Sequence, residues 1–219
     1  MISDVFRVFP VHIGKYVWDN HEKLKETLDI DSFPREELSS NFTDSRLRHY
    51  YNQAGKNFLK DNRKLLLDFE DFLLESVAHY AETIYGQKPS GWVVTDCWVN
   101  ITDAGGSQVQ HFHSNSLYSG TYFLNYDPRI HGALTFVNPF KTVVTRPSLD
   151  LAPVEVNKPG SAQSVSIPYK EGDLLIWPSQ INHFTKACSG DNRISISMNF
   201  MPSELNSNNV YSWRIVVDS

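Results

Sequence analysis

The chain has 219 residues, 41% of them hydrophobic and 13% aromatic, with a formal charge of −5 and a pI near 5.9. That length supports a sizeable core in one large β-rich domain or two small ones, and the acidic balance argues against a basic nucleic-acid-binding stripe. No apolar run approaches the roughly twenty residues of a membrane-spanning helix, and two cysteines, Cys97 and Cys188, are too few for a disulfide scaffold.

The opening "MISDVFRVFPVHIGKYVWDN" carries Asp4 and Arg7 and lacks the apolar core of a secretory leader. A soluble, cytoplasmic protein is therefore the expectation. Within that opening, "VFRVFPVHIGKYVW" is aromatic and β-branched and predicts a strand or strand pair, limited by Pro10 and Gly14. Residues 19–29 follow with a helical pattern. A stronger helix is expected over about 62–85, where Leu66, Phe69, Leu73, Val77, Tyr80 and Ile84 recur at steps of three and four, and Gly86 and Pro89 end it.

From Trp92 the texture becomes short strand-like runs separated by Gly, Pro, Asn and Asp: "GWVVTDCWVNIT", "SLYSGTYFLNY", "GALTFVNP", "SAQSVSIP", "GDLLIWP", "NHFTKA" and "RISISMNF". Short strands at this spacing, with helices confined to the N-terminal side, predict a mainly β (α+β) jelly roll backed by helices. A single domain over 1–219 is expected: N-terminal strand and helical support over 1–90, the jelly-roll core over 91–201, and a tail strand over 202–219. The Pro-bearing stretch 138–163 reads as a long loop of lid or binding type. The tail "NVYSWRIVVD" reads as an added edge strand or a partner-binding arm.

His111 and His113, in "VQHFHSNSLYSG", share a face if that stretch is extended. Alone, H-x-H is weak, because strand histidines are often merely packed. A second island, "GDLLIWPSQINHFTKACSGDNRISIS", places His183 72 residues after His111 and Arg193 ten residues further on. That interval suits two strands facing each other across a jelly roll. Three protein ligands on one face of an octahedral metal leave positions open for substrate or oxygen, whereas closed structural zinc would want a fourth ligand and thiolates.

Taken in order, "HFHSNSLYSGTYFLNY", "GALTFVNP" and "EGDLLIWPSQINHFTKACSGDNRISISMNF" resemble the Fe(II)/2-oxoglutarate-dependent oxygenases. The match is to a subfamily with an H-x-H…S-G-x-Y-[YF]-L block, a G-D-L-[LI]-x-[FW]-P-S block and R-I-S-[IV]-S after the distal histidine. It covers most of the chain. The resemblance implies a double-stranded β-helix, cupin-like in architecture. It implies Fe(II), 2-oxoglutarate and O2 as cofactor and cosubstrates, with ascorbate as an auxiliary reductant. His111 and His183 would be iron ligands, and Arg193 with Ser195 would grip the distal carboxylate of 2-oxoglutarate. A guanidinium fork suits a carboxylate, and alternation puts Ser195 on the same strand face as Arg193.

Most of that superfamily has H-x-D, and here the aspartate position reads His113. Three placements are open: His113 ligates iron in a neutral three-histidine face; His113 turns away, leaving water; or the register is His113-x-Asn115 with His111 outside. The first is preferred, since residues i and i+2 of a strand share a face. Asp103 and Asp127, the nearest carboxylates, read as turn residues. Tyr122 and Tyr118 are candidates to donate a hydroxyl to the cosubstrate, Tyr122 the stronger, against the ordinary core role of strand aromatics. Asn100, Asn125 and Asn199 are candidates to orient cosubstrate or substrate. His12, His21, His49, His79 and His131 read as surface or packing histidines.

The expected activity is hydroxylation of a peptidyl or small-molecule substrate, coupled to oxidative decarboxylation of 2-oxoglutarate to succinate, with a homodimer allowed for. Its rivals are a non-catalytic cupin- or lectin-like binding jelly roll and a three-histidine metal oxygenase that does not use 2-oxoglutarate.

Overall fold

A computed structural model describes residues 10–29, 46–50, 55–139, 162–207 and 210–216. The chain enters through strand β1 (Gly14–Val17), helix α1 (His21–Thr27) and strand β2 (Leu47–Tyr50), then forms helices α2 (Phe58–Asp61) and α3 (Arg63–Tyr85). The rest is strand: β3 (Trp92–Thr102), β4 (Gln108–His111), β5 (Tyr118–Asn125), β6 (Leu134–Val137), β7 (Ser164–Val165), β8 (Asp173–Pro178), β9 (His183–Thr185), β10 (Arg193–Pro202), β11 (Glu204–Ser207) and β12 (Tyr211–Arg214).

Helix α3 ends where its sequence says it should. Gly86 sits at φ 65°, ψ 20°, and hydrogen bonds return from its own N–H to Glu82 and from Gln87 to Ala81. The apolar stripe Leu66, Phe69, Leu73, Val77 and Tyr80 is buried, whereas Ile84, placed on the same stripe, is exposed near the helix end.

Six strands form the major antiparallel sheet in the order β1-β8-β5-β10-β3-β2, and four form the minor sheet in the order β4-β9-β6-β7. This is the jelly roll, a double-stranded β-helix. The N-terminal part does more than brace it, because β1 and β2 supply both edges of the major sheet. Of the two readings of the tail, the added edge strand does not form: among the described residues β11 and β12 pair with each other in a separate hairpin and add no edge to either large sheet. Of the opening strand only Gly14–Val17 is described, residues 1–9 lying outside the described residues; most of the 138–163 segment does so too, at 140–161.

Period-two alternation divides the major sheet into two unlike faces. Cys97, Val99 and Ile101 of β3, Tyr118, Tyr122 and Leu124 of β5, Leu174 and Ile176 of β8, and Ile194, Ile196, Met198 and Phe200 of β10 pack with α3 in one apolar core. The opposite face turns toward the minor sheet. There Phe123, Leu175 and Trp177 join Leu134, Phe136, Tyr126 and Tyr169 in a smaller aromatic core. Beside that core lies a polar strip, Asn100 of β3, Thr121 of β5 and Arg193, Ser195, Ser197 and Asn199 of β10, all buried. Close approach on the helix side uses Gly120, where a Cβ would stand 2.9 Å from Met198 Sδ.

Candidate active site

Strands β4 and β9 pair with His111 directly opposite His183. His113 follows two residues after β4, its backbone N–H donating to the Ser179 carbonyl at 2.9 Å, which ties this segment to the end of β8. The three imidazoles converge. Ring centroids lie 4.3 Å apart for His111 and His183 and 5.3 Å apart for each pair involving His113. One nitrogen from each ring falls within 4.8 Å of the others.

Tautomers are already set in two of the three. Nδ1 of His111 lies 2.9 Å from the Val109 carbonyl and Nδ1 of His183 2.9 Å from the Ile181 carbonyl, so each must carry its proton there. That leaves Nε2 of both rings with a free lone pair, the state a metal requires. The His113 ring makes no hydrogen bond among the described residues and is held by stacking against Trp98 and His183, parallel to the latter within 1°. Burial, and then the neighbouring imidazoles, push His183 down to about 3 and His113 down to about 4; burial also lowers His111. All three are neutral at physiological pH. The donor set thus fits a divalent transition metal with open positions.

Arg193 opens β10 from the same interior and is 3% exposed. Its Nε donates to the Gly132 carbonyl at 3.0 Å, and Nη1 donates weakly to Ser195 Oγ at 3.4 Å. Its guanidinium carbon stands 5.6 Å from the centroid of Phe123 and 6.0 Å from that of Tyr126. Among the described residues it has no carboxylate partner. A buried charge without a counter-ion is costly, and it makes the site a receptor for an anion.

A tight cavity of about 20 Å³ joins Arg193 and Ser195 to the three histidines. It is walled by both sheets. Asn100 Nδ2 donates to Ser195 Oγ and Ser197 Oγ at 3.4 and 3.0 Å, and Thr121 Oγ1 lies 3.1 Å from Ser197 Oγ. Two lining groups, Oδ1 of Asn100 and the indole N–H of Trp177, are buried without a hydrogen-bond partner among the described residues. Such orphans call for a polar occupant.

Tyr122 requires a correction. Its phenol faces α3 and not the cavity, lying 2.7 Å from His21 Nδ1 and packed edge-on to Phe69 at 5.0 Å. The reason is alternation: Thr121 faces the site, so its neighbour cannot. Tyr118 shares the outer face and donates to Gln87 Oε1 at 2.6 Å. Asn125 likewise stands away, donating to the Asn192 carbonyl at 2.6 Å. Asp103 and Asp127 are turn residues as expected, Asp103 engaged by Arg48 at 2.8 Å and Asp127 accepting from the Arg129 N–H at 2.9 Å.

Sequence reasoning missed a second cavity, about 240 Å³, on the far side of the histidines. It shares Trp98, Gln108, His111 and His113 with the first and adds His49, Asp96, Asn115 and Asn199. His49 is 8% exposed and pushed by burial down to about 4, so of the two readings, surface or packing, it is the buried one. Asp96 gave no signal because it is not within any motif. The shared alternation of Asp96, Trp98 and Asn100 along β3 was the available clue.

Another group of potential ligands, His21, Glu22 and Glu171, lies near α1. Lys25 fills it, its ammonium 2.6 Å from Glu171 Oε1.

Residues 96–199 match the family model described as "Putative 2OG-Fe(II) oxygenase", and the match spans β3 through most of β10. Over that span, just under half of the chain, the protein is similar to the 2OG-Fe(II) oxygenases. These oxidoreductases use Fe(II), 2-oxoglutarate and O2. Solved structures agree on the fold. The epimerase SnoN in complex with Fe3+, alpha ketoglutarate and nogalamycin RO superposes with a TM-score of 0.61 at 17% identity, covering 88% of this chain and 80% of SnoN. HygX from Streptomyces hygroscopicus, with nickel, 2-oxoglutarate and hygromycin B bound, gives 0.57 at 10% identity over 88% and 84%. A prolyl hydroxylase from Trichoplax adhaerens in complex with a hypoxia inducible factor peptide fragment gives 0.53 at 15% identity over 87% and 83%. No curated protein matches the chain by sequence. Among the described residues no helix is long and apolar enough to cross a membrane.

Proposed function

We propose that this protein is a 2OG-Fe(II) oxygenase, a hydroxylase that holds Fe(II) through His111, His113 and His183 and takes 2-oxoglutarate with its distal carboxylate on Arg193 and Ser195. The observation that carries the reading is the buried Arg193 guanidinium, without an anionic partner among the described residues, in one cavity with three neutral imidazoles. Fe(II) so held supplies the activation of O2 that couples decarboxylation of 2-oxoglutarate to succinate with hydroxylation of a substrate C–H bond.

The chain's own residues orient and exclude. Arg193 offers a planar fork of donors to a carboxylate, stiffened by its bond to Gly132 and its place against Phe123. The Val109 and Ile181 carbonyls hold two imidazoles in the ligating tautomer. Trp177 and Asn100 present a donor and an acceptor that a dicarboxylate and its ordered water would satisfy. At about 20 Å³ the cavity has room for about one water, so its walls part to admit the cosubstrate.

Under anaerobic conditions, Fe(II) plus 2-oxoglutarate is expected to give a weak visible charge-transfer band, and Arg193→Met to remove it. No band in the wild-type protein overturns the reading. His113 has its own test. Placed at the carboxylate position, it tolerates His113→Asp with Fe(II) affinity kept or raised, measured by anaerobic titration; complete metal loss in a folded variant argues against its ligand role.

A further inference from the structure

The second cavity bears on which molecule is hydroxylated, an inference that rests on the hydroxylase reading of the three-histidine site. It borders His111 and His113 and, unlike the first cavity, does not include Arg193 in its lining, so it offers a second approach to the same imidazoles. Among the described residues its lining contains one carboxylate, Asp96, and no lysine or arginine. Gln108, Asn115 and Asn199 are neutral amides, and His49 is buried beside them. Apart from the imidazoles, Asp96 is therefore the one ionisable side chain of this wall among the described residues.

Asp96 is held but not neutralised. Its Oδ2 accepts from Thr95 Oγ1 at 2.9 Å and from Asn199 Nδ2 at 3.2 Å. Asn199 is itself fixed, accepting at Oδ1 from Ser119 Oγ at 2.9 Å. Oδ1 of Asp96 has no partner, and the carboxylate has no ion pair, among the described residues. A carboxylate clamped on one oxygen and open on the other, on the wall of a polar cavity, is built to receive a cationic donor. An apolar substrate would leave it unpaired, and an anionic one would be repelled.

We propose that the substrate carries an ammonium or guanidinium group, that Asp96 is the residue that selects it, and that hydroxylation falls on a C–H bond of the same molecule. The balance is that of the superfamily reaction: the C–H bond becomes C–OH with one atom of O2, and the other atom enters succinate as 2-oxoglutarate loses CO2. A cavity of this size takes a free amine or a single basic side chain of a peptide.

The test uses the full chain with Fe(II), 2-oxoglutarate and O2, following succinate formation over the substrate-free rate. The probes are Nα-acetylated amides of lysine and arginine and short N-acetylated Lys- or Arg-containing peptides, with free lysine and arginine alongside, matched with the Nα-acetylated amides of norleucine, citrulline and glutamate, so that the blocked pairs differ in side-chain charge alone. The expected result is stimulation by a cationic probe and none by its neutral or anionic match. Free amino acid against peptide then identifies the source of the cation. In Asp96→Asn the ratio of cationic to neutral stimulation should fall about tenfold or more, and Asp96→Glu should restore part of it. Equal stimulation by neutral probes, no stimulation by any cation, or an unchanged ratio in Asp96→Asn overturns the proposal. If Asp96→Asn does not fold, the wild type decides alone, and equal stimulation by the blocked lysine and norleucine probes overturns the proposal. A wild-type protein that shows no charge-transfer band fails the function itself, a separate result.

Discussion

The two faces of the major sheet are built from the same strands and behave as different materials. On β10, Ile194, Ile196, Met198 and Phe200 lie against α3 with almost no exposed surface, while Arg193, Ser195, Ser197 and Asn199 point between the sheets. The helix-facing side is satisfied as it stands, apolar against apolar. Among the described residues the interior side carries an arginine without a counter-ion and two orphaned polar groups. Stability is concentrated on the first face and unmet chemical demand on the second, and a period of two residues lets one strand serve both.

Cutting the first face should do the largest damage. Phe69→Ala, at a position with no exposed surface, is expected to cost about 3–5 kcal/mol in denaturant unfolding. The second face should respond in the opposite sense: Arg193→Met, which loses the cosubstrate band, is expected to leave the melting temperature unchanged or higher, because it removes a buried charge that has no counter-ion among the described residues. A drop in stability as large as that of Phe69→Ala would show that Arg193 is structural.

Acid separates the faces further. The site histidines are held neutral, His113 near 4 and His183 near 3, while an unfolded chain protonates its histidines near 6.5. Their contribution is thus complete above about pH 6.5 and declines as pH falls from there toward 4 and 3, as the unfolded state takes up protons first. Metal-free protein should lose stability across that window, and saturating Fe(II) should delay the loss. The smallest effect is expected at Tyr122→Phe, about 1 kcal/mol for the bond to His21, with no change in 2-oxoglutarate affinity. A weakened cosubstrate would return Tyr122 to the site.

Much of this architecture is legible in the chain. The 3.6-residue stripe of α3, Gly86 as its stop, the succession of short strands and the spacing of His111, His113, His183 and Arg193 all survive in the fold. Tyr122 does not, because alternation sorts β5 into two sets without saying which set meets the helix. Asp96 and His49 stay hidden because neither belongs to a motif; β2 and β3 bring them to the histidines through pairing of His49 with Asn100, across a long stretch of chain. The C-terminal hairpin is equally hidden, since a strand pattern does not name its partner.

By itself, then, the sequence determined the residue types, their order and their periodicities: an amphipathic helix, strands with two distinct faces, and imidazoles and a guanidinium at spacings that suit one pocket. Only the tertiary structure decided which face of each strand became the interior, that the imidazole protons of His111 and His183 are parked on carbonyls, and that Asp96 borders the histidines. Local periodicity is a property of neighbours in the chain, whereas convergence is a property of pairing between strands far apart in it.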